Sequence, residues 1–267
     1  MGVDANAMGG FLVINPRSGR GSGADELREA ATRLGIDTHV LGTGDDAAEV
    51  ARRAPEGPVG MAGGDGSLSS VAEVAVERGV PFVAVPFGTF NHFARDLGLE
   101  RSDPAEALRA FAGREHTVDI ARVNGRLFLN NVSLGLYARL VHRREGRGIA
   151  AILKALGLLA RHPSGLGVTV DGKRAHARVL VVSNNHYDLD LLSVGERERL
   201  DEGVLCLYVA HGWLPNAWEE KPGRRFVVDG RRGTLEAAID GEPTTLETPL
   251  QFEIEPRALR VLLPDRG

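Results

Sequence analysis

The sequence predicts an α/β fold followed by a β fold, with an N-terminal three-layer parallel α/β domain and a C-terminal antiparallel β-sandwich. Three observations support this division. Short apolar runs alternate with helical patterns up to about residue 115. A glycine-containing loop follows each of three predicted strands, and Asn-Gly or Asp-Gly pairs recur through the second half. The first two features are typical of a parallel sheet with helical crossovers, and the third is typical of hairpins.

The N-terminal elements follow from hydrophobic periodicity. Apolar runs at 11–14, 58–62 and 80–85 each stop at a cluster containing Pro or Gly, as buried parallel strands do. Helical spacing of apolar residues, with Asp45-Asp46 as an N-cap pair and Pro104 at a first helical position, predicts the intervening helices. The predicted helices are 24–34, 47–54, 68–78 and one that starts at 102–104.

The second half reads as short strands joined by tight turns. Four dipeptides fit the type I′ turns of hairpins: Asn124-Gly125, Asp171-Gly172, Asp229-Gly230 and Asp240-Gly241. The predicted strands are 128–132, 168–170, 179–183, 204–209, 226–228, 235–239, 250–254 and 259–263. We therefore predict an α/β domain at 1–118 and a β-sandwich domain at 119–267, and the prediction allows the last residues to return to the first domain.

Composition excludes several classes of protein. The chain has 267 residues, a formal net charge of −4 and a pI near 6.1, which argues against a nucleic-acid partner. Its single cysteine, Cys206, excludes an intrachain disulfide, and on this count the sequence predicts no cysteine-based metal site. The N-terminus lacks the pattern of a signal peptide, and no apolar run has the length of a membrane span. A cytoplasmic protein is predicted.

The first glycine loop, residues 15–23, lies between a predicted strand and a predicted helix. Glycines there let backbone N–H groups converge on phosphate oxygens, and Arg17 and Ser18 add a charge and a hydroxyl. The loop is not a Walker A motif because no Gly-Lys-Ser/Thr follows. A βα turn without a ligand is an equally good interpretation of this loop alone.

The second glycine loop, Gly63-Gly64-Asp65-Gly66-Ser67, carries more information. It places Asp65 at the carboxyl end of a parallel strand, where ligands bind in such folds. A carboxylate beside a phosphate site indicates a shared Mg²⁺. The alternative is that Asp65 caps a helix that starts at Ser67. The three flanking glycines favour the functional interpretation.

The third loop begins at Pro86-Phe87-Gly88 and opens another helix. Thr89 and Asn91 are able to bond a nucleotide or a substrate, and a simple turn with a cap is the alternative.

Together the loops resemble the diacylglycerol kinase/sphingosine kinase catalytic-domain family. The ordered motifs that carry the resemblance span almost the whole chain. They are Asn15-Pro16-Arg17-Ser18-Gly19, Gly63–Ser67, Pro86-Phe87-Gly88-Thr89-x-Asn91, Val118-Asp119-Ile120, Phe128-Leu129-Asn130 with Gly135, and Asp240-Gly241-Glu242-Pro243. The resemblance implies a lipid kinase that uses ATP and Mg²⁺, with a nucleotide-binding domain at 1–118 and a lipid-substrate domain at 119–267.

The resemblance also implies residue roles. Glu242 would be the general base for the lipid hydroxyl, and Asp65 and Asp119 would serve the catalytic Mg²⁺ network. A structural Mg²⁺ would be held by the Arg199 and Val204 carbonyls and the Glu202 carboxylate. The nucleotide-binding residues implied are Asn15, Pro16, Arg17, Ser18, Gly19, Thr43, Gly63, Gly64, Gly66, Ser67, Ser70, Thr89 and Asn91. The alternative to a catalytic role is that Glu242 is an ordinary exposed residue of a turn.

Two departures from the family pattern keep other interpretations open. Ser69 and Ser70 stand where the family usually has Asn and Glu, and His92 stands where Asp is common. A binding protein that has lost catalysis is therefore one alternative, and an NAD-kinase-like enzyme is another because it shares Gly-Gly-Asp-Gly.

The segment 149–160 is apolar, helical in pattern and surrounded by Arg, Lys and His. Such a helix is typical of peripheral contact with an anionic bilayer at the inner membrane face, and packing over the sandwich is the alternative. The sequence leaves oligomeric state open, with a homodimer as one option.

Overall fold

The structure, a computed structural model, describes residues 8–18, 23–89, 91–99, 103–135, 166–177, 179–187, 189–190, 193–194, 197–210 and 218–265. The chain divides into two compact units, Met1–Ile120 with Pro256–Gly267, and Ala121–Glu255. The chain thus passes from the first unit to the second once and returns once. Among the described residues, no helix combines the length and the apolar character needed to cross a membrane.

The first unit alternates strands and helices. Its strands are β1 (Phe11–Ile14), β2 (Asp37–Val40), β3 (Val59–Gly63), β4 (Phe82–Pro86) and most of β5 (Arg114–Val123). Its helices are α1 (Gly23–Arg33), α2 (Ala47–Arg52), α3 (Asp65–Arg78), α4 (His92–Asp96) and α5 (Pro104–Ala107), followed by a 3₁₀ turn at Leu108–Ala112.

The sheet of the first unit is parallel in the order β2-β1-β3-β4. Leu12 and Ile14 point to one face, where they pack with Leu27 of α1 and Phe111 of the 3₁₀ turn. Because side chains alternate along a strand, Val13 faces the other side, and it is fully buried there. Burial on both faces explains why these strands are continuous apolar runs.

The second unit is antiparallel. Its strands are β6 (Arg126–Phe128), β7 (Asn131–Gly135), β8 (Leu166–Val170), β9 (Lys173–Ala177), β10 (Val179–Asn184), β11 (Leu189–Asp190), β12 (Ser193–Val194), β13 (Leu205–Ala210), β14 (Trp218–Gly223), β15 (Arg225–Gly230), β16 (Thr234–Ile239), β17 (Glu242–Glu247) and the first half of β18 (Leu250–Leu263).

Two layers of strands enclose the core of the second unit. One layer is a six-stranded sheet in the order β14-β13-β10-β7-β16-β17, and the other contains β18, β15, β8 and β9. Leu180 and Leu207 of the first layer pack with Val168, Phe226 and Phe252 of the second. The predicted fold class, a parallel α/β domain followed by an antiparallel sandwich, is confirmed.

Several local predictions are confirmed and one is wrong. Asn124, Asp171 and Asp240 all have positive φ and head tight hairpin turns, as type I′ turns require. Asp229-Gly230 is instead the end of strand β15, and the chain turns one residue later, at residues 231–233. The prediction failed there because Asp229 pairs with Thr169 in the ladder and is not at a turn.

Three of the predicted strands need correction, and other strands were missed. The predicted strand 128–132 is interrupted at residues 129–130, and the predicted strands 250–254 and 259–263 form one strand in which Arg257 has φ 54°. Strands β2 and β14 were missed because Asp37–Val40 and Trp218–Gly223 are rich in polar residues. A polar strand at the edge of a sheet lacks the apolar pattern on which the prediction depends.

Candidate functional site

The carboxyl ends of three neighbouring strands define the candidate site of the first unit. After β1 the chain adds β2 on one side, and then returns to add β3 on the other side. The connections therefore diverge between β1 and β3, and such switch points are where ligands bind in open α/β sheets. The predicted loops at Asn15, Gly63 and Gly88 all follow strands of this group.

The first two loops are joined by a side-chain hydrogen bond. Asn15 donates from Nδ2 to Oγ of Ser67 at 3.2 Å, and its Oδ1 accepts from the backbone N–H of Arg17 at 3.1 Å. Residues 15–18 thus form a fixed turn beside the start of α3. Gly19 lies outside the described residues.

The second and third loops touch through their backbones. A Cβ atom on Gly88 would lie 2.5 Å from Cα of Gly64 and 2.9 Å from its nitrogen, so only glycine fits. Asn91 holds this approach, because its Oδ1 accepts from the N–H of Gly88 at 2.9 Å and its Nδ2 donates to the Gly88 carbonyl at 3.0 Å. Asn91 itself has φ 52°, a conformation that Asn tolerates.

Asp65 connects α3 to α4. Its Oδ2 accepts from the N–H of His92 at 3.2 Å, and its Oδ1 accepts from the N–H of Phe93 at 3.1 Å. The alternative in which Asp65 caps its own helix is wrong, because α3 starts at Asp65 itself and Gly64 is its N-cap. The N-cap residue of α3, Gly64, makes no side-chain cap hydrogen bond, and the N-terminus of a 14-residue helix favours anions.

The hydroxyl residues of the site differ in their surroundings. Ser70 donates from Oγ to the carbonyls of Gly66 and Ser67, at 3.2 and 3.1 Å. Thr89 is exposed directly after Gly88, and Thr43 is exposed in the turn after β2. The structure thus leaves both threonine side chains accessible to a ligand and directs the Ser70 hydroxyl to the helix backbone.

Asp119 is almost completely buried near the end of the first unit's part of β5. Its Oδ1 accepts from the N–H of Arg257 at 2.8 Å, at the point where β18 departs from regular strand geometry. A buried carboxylate that accepts a backbone N–H avoids the cost of an unpaired buried charge. Its predicted metal role stays a prediction.

In the second unit, a buried carboxylate organises the segment between β6 and β7. Asp240 accepts from the N–H groups of Leu129, Asn130 and Asn131, at 2.8, 2.7 and 3.1 Å. The carboxylate thus satisfies three backbone donors where the chain leaves β6. The motifs Phe128-Leu129-Asn130 and Asp240-Gly241-Glu242, far apart in sequence, therefore meet as one structural element.

Arg197 completes this element, and the sequence analysis did not identify it. It is 3% exposed and donates to the Leu129 carbonyl at 2.7 Å and to Oδ1 of Asn130 at 2.7 Å. Its guanidinium also lies 5.3 Å from the centre of the Tyr187 ring. No sequence motif marks Arg197, because only the fold brings it near the other residues.

Glu242 differs from the acids around it because it is exposed. It opens β17 directly after the Asp240-Gly241 turn and pairs in register with Ile239. The turn and the Asp240 bonds fix the backbone at Glu242, while the carboxylate stays accessible to solvent. This combination suits a base that acts on an incoming hydroxyl.

The predicted magnesium site at Arg199, Glu202 and Val204 stays a prediction. The Val204 carbonyl accepts from the N–H of Asn185 at 2.9 Å, and Oε2 of Glu202 accepts from His186. The membrane helix predicted over 149–160 lies outside the described residues.

Comparison with known proteins places the chain in a family. The diacylglycerol kinase catalytic domain matches residues 10–123. A "Probable lipid kinase YegS" of Salmonella newport is 31% identical over 299 positions, which cover 97% of each chain, and a "Probable lipid kinase YegS-like" protein of Klebsiella pneumoniae is 29% identical over 95% of each chain. The chain belongs to the diacylglycerol kinase catalytic-domain family, which confirms the resemblance given by its motifs.

Solved structures support the fold. A diacylglycerol kinase from Bacillus anthracis superposes with a TM-score of 0.69 over 96% of this chain and 97% of that one, at 18% identity. At this identity the similarity concerns the fold alone. It agrees with the parallel α/β unit and the antiparallel unit described above.

Proposed function

We propose that this protein is an ATP- and Mg²⁺-dependent lipid kinase that transfers the γ-phosphate to a hydroxyl group of a membrane lipid such as diacylglycerol. The observation that carries the proposal is the joining of three loops at the carboxyl ends of β1, β3 and β4. Those loops belong to a chain whose family is defined by a diacylglycerol kinase domain. Cytoplasmic ATP and a lipid at the inner membrane face are the substrates we expect.

The first unit fits the phosphates of a nucleotide. Gly64 and Gly88 lie too close for a side chain on Gly88, so backbone N–H groups are able to approach phosphate oxygens directly. The N-terminus of α3 adds a favourable dipole. Residues 15–18 border this region, and Thr89 and Thr43 are accessible for contacts with the nucleotide.

The acids fit the chemistry of Mg²⁺. Mg²⁺ prefers carboxylate and water oxygens, and we assign Asp65 and Asp119 to its network. The carboxylate of Asp65 accepts from the N–H groups of His92 and Phe93, which fixes its position beside the glycine loops. When bound, Mg²⁺ neutralises phosphate charge during transfer. Glu242 takes the proton from the lipid hydroxyl.

A second candidate function is binding of nucleotide and lipid without turnover. It is favoured by the hydroxyls of Ser69 and Ser70, which both donate to backbone carbonyls of α3. It is also favoured by His92, whose Nδ1 lies 3.0 Å from a guanidinium nitrogen of Arg95. These residues replace the polar and acidic side chains usual in the family.

The deciding experiment follows labelled γ-phosphate from ATP into a total lipid extract and into diacylglycerol vesicles, with Mg²⁺ or with a chelator. We expect a labelled lipid in the presence of Mg²⁺, and a loss of at least about 100-fold in Glu242→Gln because a general base is removed. The matched control is Glu247→Gln, since Glu247 is exposed on the same strand. The control should keep full activity.

Two results would change the proposal. Undiminished turnover by Glu242→Gln would remove Glu242 as the base. ATP binding without any labelled lipid would favour the binding protein over the kinase.

A further inference from the structure

A cluster of three metal-ligating side chains lies on the second unit. His186, Cys206 and Glu220 each present one ligand atom, and the three atoms lie within 4.8 Å of one another. His186 follows β10, Cys206 lies in β13 and Glu220 lies in β14. The strands β10, β13 and β14 are neighbours in the six-stranded sheet, which brings the three residues to one region.

The register of the sheet explains why these side chains meet. Cys206 is opposite Pro222, and Tyr208 is opposite Glu220, so Cys206 and Glu220 are diagonal neighbours on one face. Leu205 and Leu207 point to the other face, into the core of the sandwich. Cys206 thus belongs to the outer face of the sheet, where it packs with Tyr208 in a small separate cluster.

His186 lies between two carboxylates. Its Nδ1 is 2.7 Å from Oε2 of Glu202, and its Nε2 is 3.3 Å from Oε1 of Glu220. A carboxylate accepts hydrogen bonds and donates none, and a neutral imidazole has only one N–H. When Nδ1 carries the N–H toward Glu202, the lone pair of Nε2 faces Glu220, and a metal ion bound there would be held by both groups.

Glu202 orients the imidazole of His186 and does not itself contact the proposed metal. Its Oε2 also accepts from the backbone N–H of His186 at 3.1 Å, so both the ring and the backbone are fixed. Burial alone would raise the pKa of Glu202, but the hydrogen bonds from His186 outweigh burial and lower that pKa. Metal-bound histidines commonly donate their second N–H to such a carboxylate, which leaves Nε2 for the metal.

The distance between the His186 nitrogen and the Glu220 oxygen suits a tetrahedral ion. A nitrogen and an oxygen each about 2.0–2.1 Å from Zn²⁺ lie about 3.3–3.4 Å apart at the tetrahedral angle. Nε2 of His186 and Oε1 of Glu220 are already 3.3 Å apart. Their side chains are 47% and 42% exposed, so small rotations are able to bring them toward the Cys206 sulfur.

The chemistry of the ligands selects the class of metal. Thiolate and imidazole favour Zn²⁺ and similar transition-metal ions over Mg²⁺ and Ca²⁺. Burial, reinforced by the charge of Glu220, raises the pKa of Cys206 to about 12. In the absence of metal, Cys206 is therefore a thiol at neutral pH, and a bound ion has to displace its proton.

We propose that His186, Cys206 and Glu220 bind one Zn²⁺ or a similar transition-metal ion, with Glu202 orienting the imidazole and water completing the coordination. No such site was predicted from the sequence because the prediction considered only sites made of several cysteines. One thiol is sufficient when a histidine and a glutamate supply the other ligands. Bound metal would link the end of β10 to β13 and β14. The test of this site measures metal binding and does not depend on the proposed kinase reaction.

The test titrates the metal-free full-length protein with Co²⁺, which reports thiolate ligation as a charge-transfer absorption. Cys206 is the only cysteine, so this absorption has a single source. We expect saturation at one ion per chain, loss of the band in Cys206→Ser and at least a 100-fold weaker affinity in His186→Gln. We also expect a 10- to 100-fold weaker affinity in Glu202→Gln.

His39→Gln is the matched control. His39 is also a half-exposed histidine paired with a carboxylate, Asp45, at 3.0 Å, and it should leave Co²⁺ binding unchanged. Zn²⁺ should displace Co²⁺, whereas a large excess of Mg²⁺ should not.

The proposal fails if millimolar Co²⁺ gives no thiolate band, or if His186→Gln, whose side chain is exposed and tolerant of change, binds Co²⁺ as the wild type does. The first result would show that these three side chains meet without binding a metal.

Discussion

Asp65 in the first unit and Asp240 in the second unit make the same kind of contact in different surroundings. Both are largely buried carboxylates that accept hydrogen bonds from backbone N–H groups distant in sequence. Asp65 binds the start of α4, and Asp240 binds the segment after β6. In both units, therefore, the aspartate of a sequence motif holds a distant backbone segment in place.

The two settings differ in what stands next to the acid. Around Asp65 the neighbours are glycines, so the backbone itself is open to a ligand. After Asp240 the neighbour is a hairpin turn that presents the exposed side chain of Glu242. In the proposed kinase reaction, main-chain donors of the first unit would bind a phosphate, and the Glu242 carboxylate of the second unit would accept the proton.

The largest effect is expected at Asp240. Replacement by Ala leaves three N–H groups without their acceptor, and each unsatisfied buried donor costs about 1–3 kcal/mol. We expect the free energy of unfolding in urea to fall by about 4 kcal/mol.

The matched control is Asp229→Ala, because Asp229 has the same Asp-Gly context but is exposed in a strand. It should change the free energy of unfolding by less than about 0.5 kcal/mol. Equal effects of the two substitutions would mean that the Asp240 bonds do not stabilise the second unit.

A smaller effect is expected at Asp65, which accepts two backbone N–H groups in place of three. Replacement by Ala should lower the free energy of unfolding by about 2 kcal/mol, since the N-terminus of α4 loses its acceptor. Asp46, the local cap of α2, provides the comparison, and Asp46→Ala should cost about 1 kcal/mol. A larger loss at Asp46 than at Asp65 would contradict the interpretation.

The smallest effect is expected at Asp171, an exposed turn acid that accepts one backbone N–H, from Val227, and a bond from Lys221 at 2.8 Å. Burial alone would raise the pKa of Asp171, but the bonds from Lys221 and Val227 outweigh it and lower that pKa. The stabilisation is therefore complete above the unfolded-state pKa of about 3.9 and is lost as the pH falls through the folded-state pKa.

The measurement compares wild type with Asp171→Asn, which retains the turn and the bond to Val227. The difference in free energy of unfolding should be about 0.5 kcal/mol at pH 6, as for an exposed ion pair, and should vanish in acid. In the Lys221→Gln background the difference should shrink. A difference that stays constant from pH 6 to pH 2 would refute the assignment.

Sequence alone determined most of the fold where local physics decides structure. Buried parallel strands are continuous apolar runs, and type I′ turns need residues that tolerate positive φ, so β1, β3, β4 and three of four hairpin turns were predictable. Polar edge strands such as β2 and β14 were not predictable because they bury little apolar surface.

Only the tertiary structure decided the partners of the acidic residues. The sequence marks Asp65 and Asp240 as motif residues, yet their acceptor roles depend on N–H groups 27 and 111 positions away along the chain. Arg197 carries no motif, and His186, Cys206 and Glu220 are scattered over three segments. The physical reason is that sheet register sets which side chains are neighbours, and register is a property of the paired strands that no single segment contains.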